Sequence, residues 1–195
     1  MISGIILAAG ESSRFGSLKQ LYKLDGKSFL NRIIDNLQAT FNVTEIIVGL
    51  GYKYESIIKH IDTDKVKVVI NSNYQRGQLS TFQECIKKVS TSSRGYLMTL
   101  VDHPFIKIET YNMLIGAFLK NNFENIVIPT YKGRKGHPVI FPAVFKKDIM
   151  DAPLNEGARY VTNKNIESVQ LVETDDEFVL ADIDNEEDLK HWSRT

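Results

Sequence analysis

Leu7-Ala8-Ala9-Gly10-Glu11-Ser12-Ser13-Arg14-Phe15-Gly16-Ser17-Leu18-Lys19 begins where the apolar run Ile5-Ile6-Leu7 ends. The small residues Ala8, Ala9 and Gly10 let the chain turn sharply off a strand and bring backbone amides against a ligand without Cβ obstruction. Arg14 then offers a planar fork for phosphate oxygens and Lys19 a mobile point charge. The stretch reads as a cradle for a nucleoside triphosphate placed at the end of a first β-strand.

Outward from that strand, short β-rich runs alternate with segments of helical periodicity, which predicts an α/β domain with a mainly parallel sheet. Residues 4–7, 45–48, 67–70, 96–101 and 125–128 read as core strands. Phe29, Ile33, Ile34 and Leu37 form one apolar helical face, and Tyr111, Leu114, Ile115 and Phe118 another. Helices are also expected over 54–61 and 80–89, the latter capped by Ser80 or Thr81. Beyond Pro129 the pattern predicts a turn at 131–136, a strand at 138–141, helices at 143–150 and 157–163, strands at 168–172 and 179–183, and a last helix from about Asn185.

The chain of 195 residues is long enough for one well-buried core and short for two, so a single domain is expected. A nucleotide-binding half covers about 1–104 and an acceptor-binding, metal-completing half about 105–195. With 24 basic and 24 acidic side chains, no broad positive field exists for nucleic acid, and an anionic ligand must be held locally. No apolar run approaches the roughly 20 residues that span a bilayer, and Met1-Ile2-Ser3-Gly4 lacks the basic start of a signal peptide. A cytoplasmic address is expected, with no membrane partner. Cys85, the only cysteine, excludes an intramolecular disulfide and reads as a small apolar filler. His60, His103, His137 and His191 show no metal-ligand spacing.

Ligands of open α/β sheets collect beyond the carboxyl ends of the strands, where the 8–19 loop, the 71–80 segment and Asp102 should all face one crevice. Asp102 ends a run of six apolar or neutral residues, Tyr96 to Val101, and either ligates Mg²⁺ beside phosphate oxygens or caps the next turn. Asp182 and Asp184 alternate around Ile183, so on a strand only one of them reaches the metal. Glu186, Glu187 and Asp188 suit the first turn of a helix. The amides and hydroxyls of 71–81 either read a base edge or belong to an ordinary polar loop. His137 either donates to a phosphate or satisfies a turn carbonyl, and Arg159 either binds an anion or forms a surface pair.

Four strings in this order resemble the MobA-like NTP transferases, and within them the molybdenum cofactor cytidylyltransferase group, which share a Rossmann-like, GT-A-type three-layer α/β fold. They are Leu7 to Lys19; Val101-Asp102-His103-Pro104, where the group has Gly-Asp-Gln-Pro; Gly136-His137-Pro138-Val139-Ile140-Phe141; and Asp182-Ile183-Asp184-Asn185-Glu186-Glu187-Asp188-Leu189. The resemblance implies transfer of CMP from CTP to a molybdopterin-type acceptor with Mg²⁺ as cofactor, and extends the partners to a recipient molybdoenzyme or its chaperone. It implies that Leu7, Ala8, Ala9, Gly10, Arg14, Lys19, Gly77 and Ser80 hold the nucleotide and that Asp102 and Asp184 hold the metal. His137 and Arg159 would then face the acceptor. Arg14, Lys19 and Asp102 carry the catalytic roles. Asn155 stands where the group's Gly-Asp-x-Gly-Ala-Arg string has its carboxylate. Guanylyl transfer, a sugar-phosphate acceptor and a non-catalytic cofactor-binding chaperone are the alternatives.

Overall fold

The computed structural model describes residues 1–192. In chain order the elements are β1 (Ile2–Ala8), a small hairpin of β2 (Lys23–Leu24) and β3 (Lys27–Ser28), α1 (Phe29–Ala39), β4 (Val43–Leu50), α2 (Tyr54–Ile58), β5 (Lys67–Ile70), α3 (Gln78–Ile86) and β6 (Gly95–Leu100). There follow α4 (Ile108–Lys120), β7 (Ile126–Tyr131), β8 (Arg134–Lys135), β9 (Val139–Pro142), α5 (Lys146–Asp151), α6 (Arg159–Lys164), β10 (Val169–Glu173) and α7 (Glu186–Trp192). The central sheet runs β10-β7-β9-β6-β1-β4-β5, with β8 added to β7. β1, β4, β5 and β6 are parallel, β9 runs antiparallel between β6 and β7, and β10 is parallel to β7.

β1 is buried along its whole length, as a central parallel strand covered on both faces must be. Its side chains divide by the strand period of two. Ile2, Ile6 and Ala8 join the core under α1 and α4, whereas Ile5 and Leu7 join the core under α3, α5 and α6. α1 begins where the Ser28 hydroxyl accepts from the Asn31 amide at 3.2 Å, and it buries Phe29, Leu30, Ile33, Ile34 and Leu37. On the other face α3 lies close against β4 because Gly49 carries no side chain. A Cβ there would stand 2.5 Å from Thr81 Cγ2 and 2.8 Å from Cys85 Sγ.

Cys85 is fully buried in that contact, and burial pushes its thiol up to about 12. A thiol reagent at neutral pH is therefore expected to label the chain only as it unfolds, a rate that mass spectrometry follows against denaturant. Fast labelling of the native protein would contradict this packing.

Several local expectations fail. The predicted strand over 179–183 is absent: Glu177–Leu180 forms a 3₁₀ turn started by Asp176, whose carboxylate accepts from the Phe178 amide at 3.2 Å. The opposite-face reading of Asp182 and Asp184 loses its basis with that strand. The helix expected from 80 starts at Gln78 with Gly77 in the cap position, so neither Ser80 nor Thr81 is the cap. The Ser80 hydroxyl instead donates back to the Gly77 carbonyl at 2.7 Å from inside the first turn. Finally, the helix expected over 54–61 stops at Ile58, and that over 143–150 divides into a 3₁₀ turn, Ala143–Phe145, followed by α5.

Candidate active site

The loop after β1 is held from behind by Gln20, which is completely buried. Its Nε2 donates to the carbonyls of Ala8 at 2.9 Å and Gly10 at 3.0 Å. In a trans peptide the N–H points opposite the C=O, so the amides of Ala9 and Glu11 are turned away from Gln20. Ser12 adds a second tie, its hydroxyl accepting from the Lys19 amide at 3.2 Å. Among the described residues, no protein acceptor meets the amides of Gly10, Glu11, Ser12, Ser13 or Arg14. Successive free amides of this kind form an anion-binding concavity.

β6 delivers Asp102 to the same edge. The Ile183 amide donates to the Asp102 carbonyl at 2.9 Å, which brings both Asp182 and Asp184 to Asp102 without any strand ladder. Lys19 Nζ lies 2.9 Å from Asp184 Oδ1 and 3.9 Å from Asp102 Oδ2, and Arg14 reaches Asp184 Oδ2 at 2.6 Å. The N-terminus of α7 is fixed independently, with Asp188 accepting from the amides of Asp184 and Asn185 at 2.9 and 3.1 Å.

Burial raises the Asp102 carboxyl above the usual carboxylate range, and the Lys19 charge offsets part of that rise. Asp182 is pushed up to about 6, first by loss of solvent around its carboxyl and then by the Asp102 and Asp184 charges. Asp102 Oδ1 is buried with no hydrogen-bond partner among the described residues. Because β9 runs antiparallel to β6, with Val139 opposite Met98, its approach places His137 beside His103, and the rings stand 5.0 Å apart. Gly136 permits this approach, since a Cβ there would lie 2.3 Å from the Val179 carbonyl oxygen. Burial lowers His103 to about 4 and His137 to about 3, so both rings are neutral at neutral pH.

The loop after β1, Lys19, Asp102 and Asp184 open onto a cleft of about 270 Å³. Leu7, Ala9, Gly10, Arg14, Lys19, Gly77, Asp102 and Asp184 all line it. Ala8 and Ser80 do not, because Ala8 is buried at the strand end and Ser80 is enclosed between Gly77 and the Asn71 side chain. Tyr74, Gln78 and Thr81 take the lining positions on that side. A neighbouring cleft of about 270 Å³ shares Leu7 and Gln78 and is walled by residues 154–158. Gly157 and Ala158 line it, whereas Arg159 is exposed on the first turn of α6. His137 lines neither cleft.

Sequence reading placed Ser12, Tyr74, Gln78 and Thr81 within its two candidate loops without giving them roles, and it missed Gln20. The one available signal was the buried-type position of Gln20 beside Lys19, but a single polar residue carries no periodicity.

An amide-rich loop, a buried cation and converging carboxylates in one cleft are equipped to bind and polarise a phosphate chain, and comparison with known proteins agrees. The family model for the MobA-like NTP transferase domain matches residues 4–169. The chain is 25% identical to the molybdenum cofactor cytidylyltransferase of Escherichia coli K12 over 92% of this chain and 95% of that protein. It is 27% identical to a probable molybdenum cofactor guanylyltransferase of Halalkalibacterium halodurans, over 97% and 96%. It spans only 24% of the length of a bifunctional GlmU protein of Caldicellulosiruptor saccharolyticus that it matches at 33% identity. In fold it superposes on a nucleotidyl transferase from Methanothermobacter with a TM-score of 0.81, covering 100% of this chain and 98% of the other at 18% identity. The chain belongs to the MobA-like NTP transferase family and is a nucleotidyltransferase.

Proposed function

We propose that the protein transfers CMP from CTP to the terminal phosphate of the molybdopterin form of the molybdenum cofactor, releasing pyrophosphate, with Mg²⁺ as the cation. The observation that carries the reading is the meeting of buried Lys19 with Asp102 and Asp184 in the cleft that Gly10, Ser12, Ser13 and Arg14 also line. A terminal phosphate oxygen of the acceptor attacks the α-phosphorus in line, and the bond to the bridging oxygen of the β-phosphate breaks. Both reactants are anionic, so the protein's task is positioning and charge stabilisation.

The loop amides and Arg14 hold the triphosphate, and Lys19 meets the charge that develops on departing pyrophosphate. The carboxylates of Asp102 and Asp184, both beside Lys19, are oxygen donors that suit a hard divalent cation. When bound, such a cation neutralises phosphate charge and aligns the attacked phosphoryl group. The cleft walled by 154–158 adjoins the nucleotide cleft and is the place for the acceptor; Arg159 follows that wall on the first turn of α6, whereas His137 packs against His103 and takes no part in it.

Cytidylyl transfer is preferred because the Ala8-Ala9-Gly10 form of the loop resembles the cytidylyl group, whose Escherichia coli relative aligns over most of the chain. The guanylyl relative of similar coverage supports the second reading, GMP transfer to the same acceptor. A panel of the four nucleoside triphosphates with Mg²⁺ and purified cofactor tests both. CTP is expected to give the fastest pyrophosphate release. Faster release with GTP replaces the base assignment, reaction only with a sugar phosphate replaces the acceptor, and binding without release favours a cofactor-carrying chaperone.

Gln20 is a positioning residue in this account. Gln20→Ala removes both ties to the loop carbonyls and should lower kcat/KM for the nucleotide by about tenfold or more, while Gln20→Glu, which cannot donate to those carbonyls when ionised, should be no better. Wild-type kinetics in either folded variant would show that the loop holds its shape unaided.

A further inference from the structure

Asp102 presents its two carboxylate oxygens to different neighbours. Oδ2 faces Lys19 Nζ at 3.9 Å, whereas the buried, unpartnered Oδ1 faces His103 Nε2, also at 3.9 Å. His103 is 5% exposed and is held against the His137 ring, and its Nδ1 likewise has no partner among the described residues. Asp182 is brought to the same side by the bond from the Ile183 amide to the Asp102 carbonyl. One ligand atom from each of Asp102, His103 and Asp182 lies within 4.8 Å of the others. Opposite ligands of an ion with bonds of about 2.1 Å stand about 4.2 Å apart, so roughly half an ångström of side-chain movement closes the set.

Asp184 lies on the Lys19 side of Asp102, paired with Lys19 and Arg14 and away from His103. Lys19 approaches the other oxygen of Asp102, so the Oδ1 side carries carboxylate charge and an imidazole without a protein cation against them. A carboxylate pair alone suits Mg²⁺, but an imidazole nitrogen favours first-row transition metals.

We propose that Asp102 Oδ1, His103 and Asp182 hold a divalent transition-metal ion of the Mn²⁺, Co²⁺ or Zn²⁺ kind, at a site separate from the Asp102–Asp184 pair and distinguished by its nitrogen ligand. The inference rests on the metal-dependent transferase reading, with Asp102 common to both sites. His103 is the element this chain adds, standing where the related group has glutamine.

The test uses the full chain stripped of metal, loaded with one equivalent of Mn²⁺ in the presence of excess Mg²⁺, and examined by pulsed electron paramagnetic resonance. The expected spectrum shows modulation from a directly bonded imidazole nitrogen that persists under Mg²⁺. His103→Gln should abolish that modulation and weaken Mn²⁺ binding about tenfold or more, while Asp182→Asn should weaken binding but keep the nitrogen signal. Melting curves establish that each variant is folded, and if His103→Gln is not, the wild-type spectrum and Asp182→Asn decide. Absence of nitrogen modulation in the wild type, its survival in folded His103→Gln, or full displacement of Mn²⁺ by Mg²⁺ overturns the site. Pyrophosphate release is measured in parallel: release without the nitrogen signal removes this site and leaves the transferase reading standing, whereas the signal without release does the reverse.

Discussion

Asp102→Ala is expected to fold and to lose turnover by a factor on the order of 10² or more, in the range for a lost electrostatic stabiliser. The side chain is mostly enclosed, lies between Lys19 and His103, and contributes no hydrogen bond on its Oδ1 side that the fold would miss. Its removal relieves burial of a carboxylate and takes an oxygen ligand from the cation that would neutralise the phosphate charge. Steady-state pyrophosphate release, read beside a melting curve, checks both halves of the statement. Near-normal turnover in a folded variant would take Asp102 out of the chemistry. Asp184→Ala should lose turnover comparably, because it also releases Lys19 and Arg14 from their fixed positions.

Lys19→Ala should lower kcat by a factor on the order of 10² to 10³ while raising the KM for CTP much less, because the charge it meets develops on the departing pyrophosphate. The ammonium is buried and already oriented by Asp184 at 2.9 Å, so little reorganisation accompanies that change. Arg14 is largely exposed and reaches Asp184 from the solvent side, so Arg14→Ala should weaken nucleotide binding as well as turnover. Small, equal effects on KM alone for both variants would favour a binding protein over a catalyst. The contrast between the two is a contrast of burial, since the same charge acts more strongly where water is excluded.

Much of this arrangement was legible in the chain because it follows from local rules. Ile5-Ile6-Leu7 breaking into Ala8-Ala9-Gly10 announces a buried strand that opens into a loop lining the cleft, and the six residues before Asp102 announce another strand that delivers a carboxylate to the same edge. The Asp182–Asp184 segment was misread because period-two alternation holds only inside a strand, and this segment is placed by the single bond from Ile183 to Asp102. Gln20 escaped for a related reason. Its partners at Ala8 and Gly10 are brought to it by a loop that doubles back, and no sequence period records that return. Ser80 was misplaced because a serine near a helix start serves equally as cap or as first-turn tie, and the Asn71 side chain decides for the tie.

The most direct measurement follows the two ends of the nucleotide separately, using CTP labelled at the α-phosphate in one sample and the γ-phosphate in another, with Mg²⁺ and purified molybdenum cofactor. The account predicts that the α label appears in a cytosine dinucleotide form of the cofactor and the γ label in pyrophosphate, in equal amounts and at equal rates. Release of the γ label as inorganic phosphate, or retention of both labels on unreacted CTP bound to the protein, would contradict it.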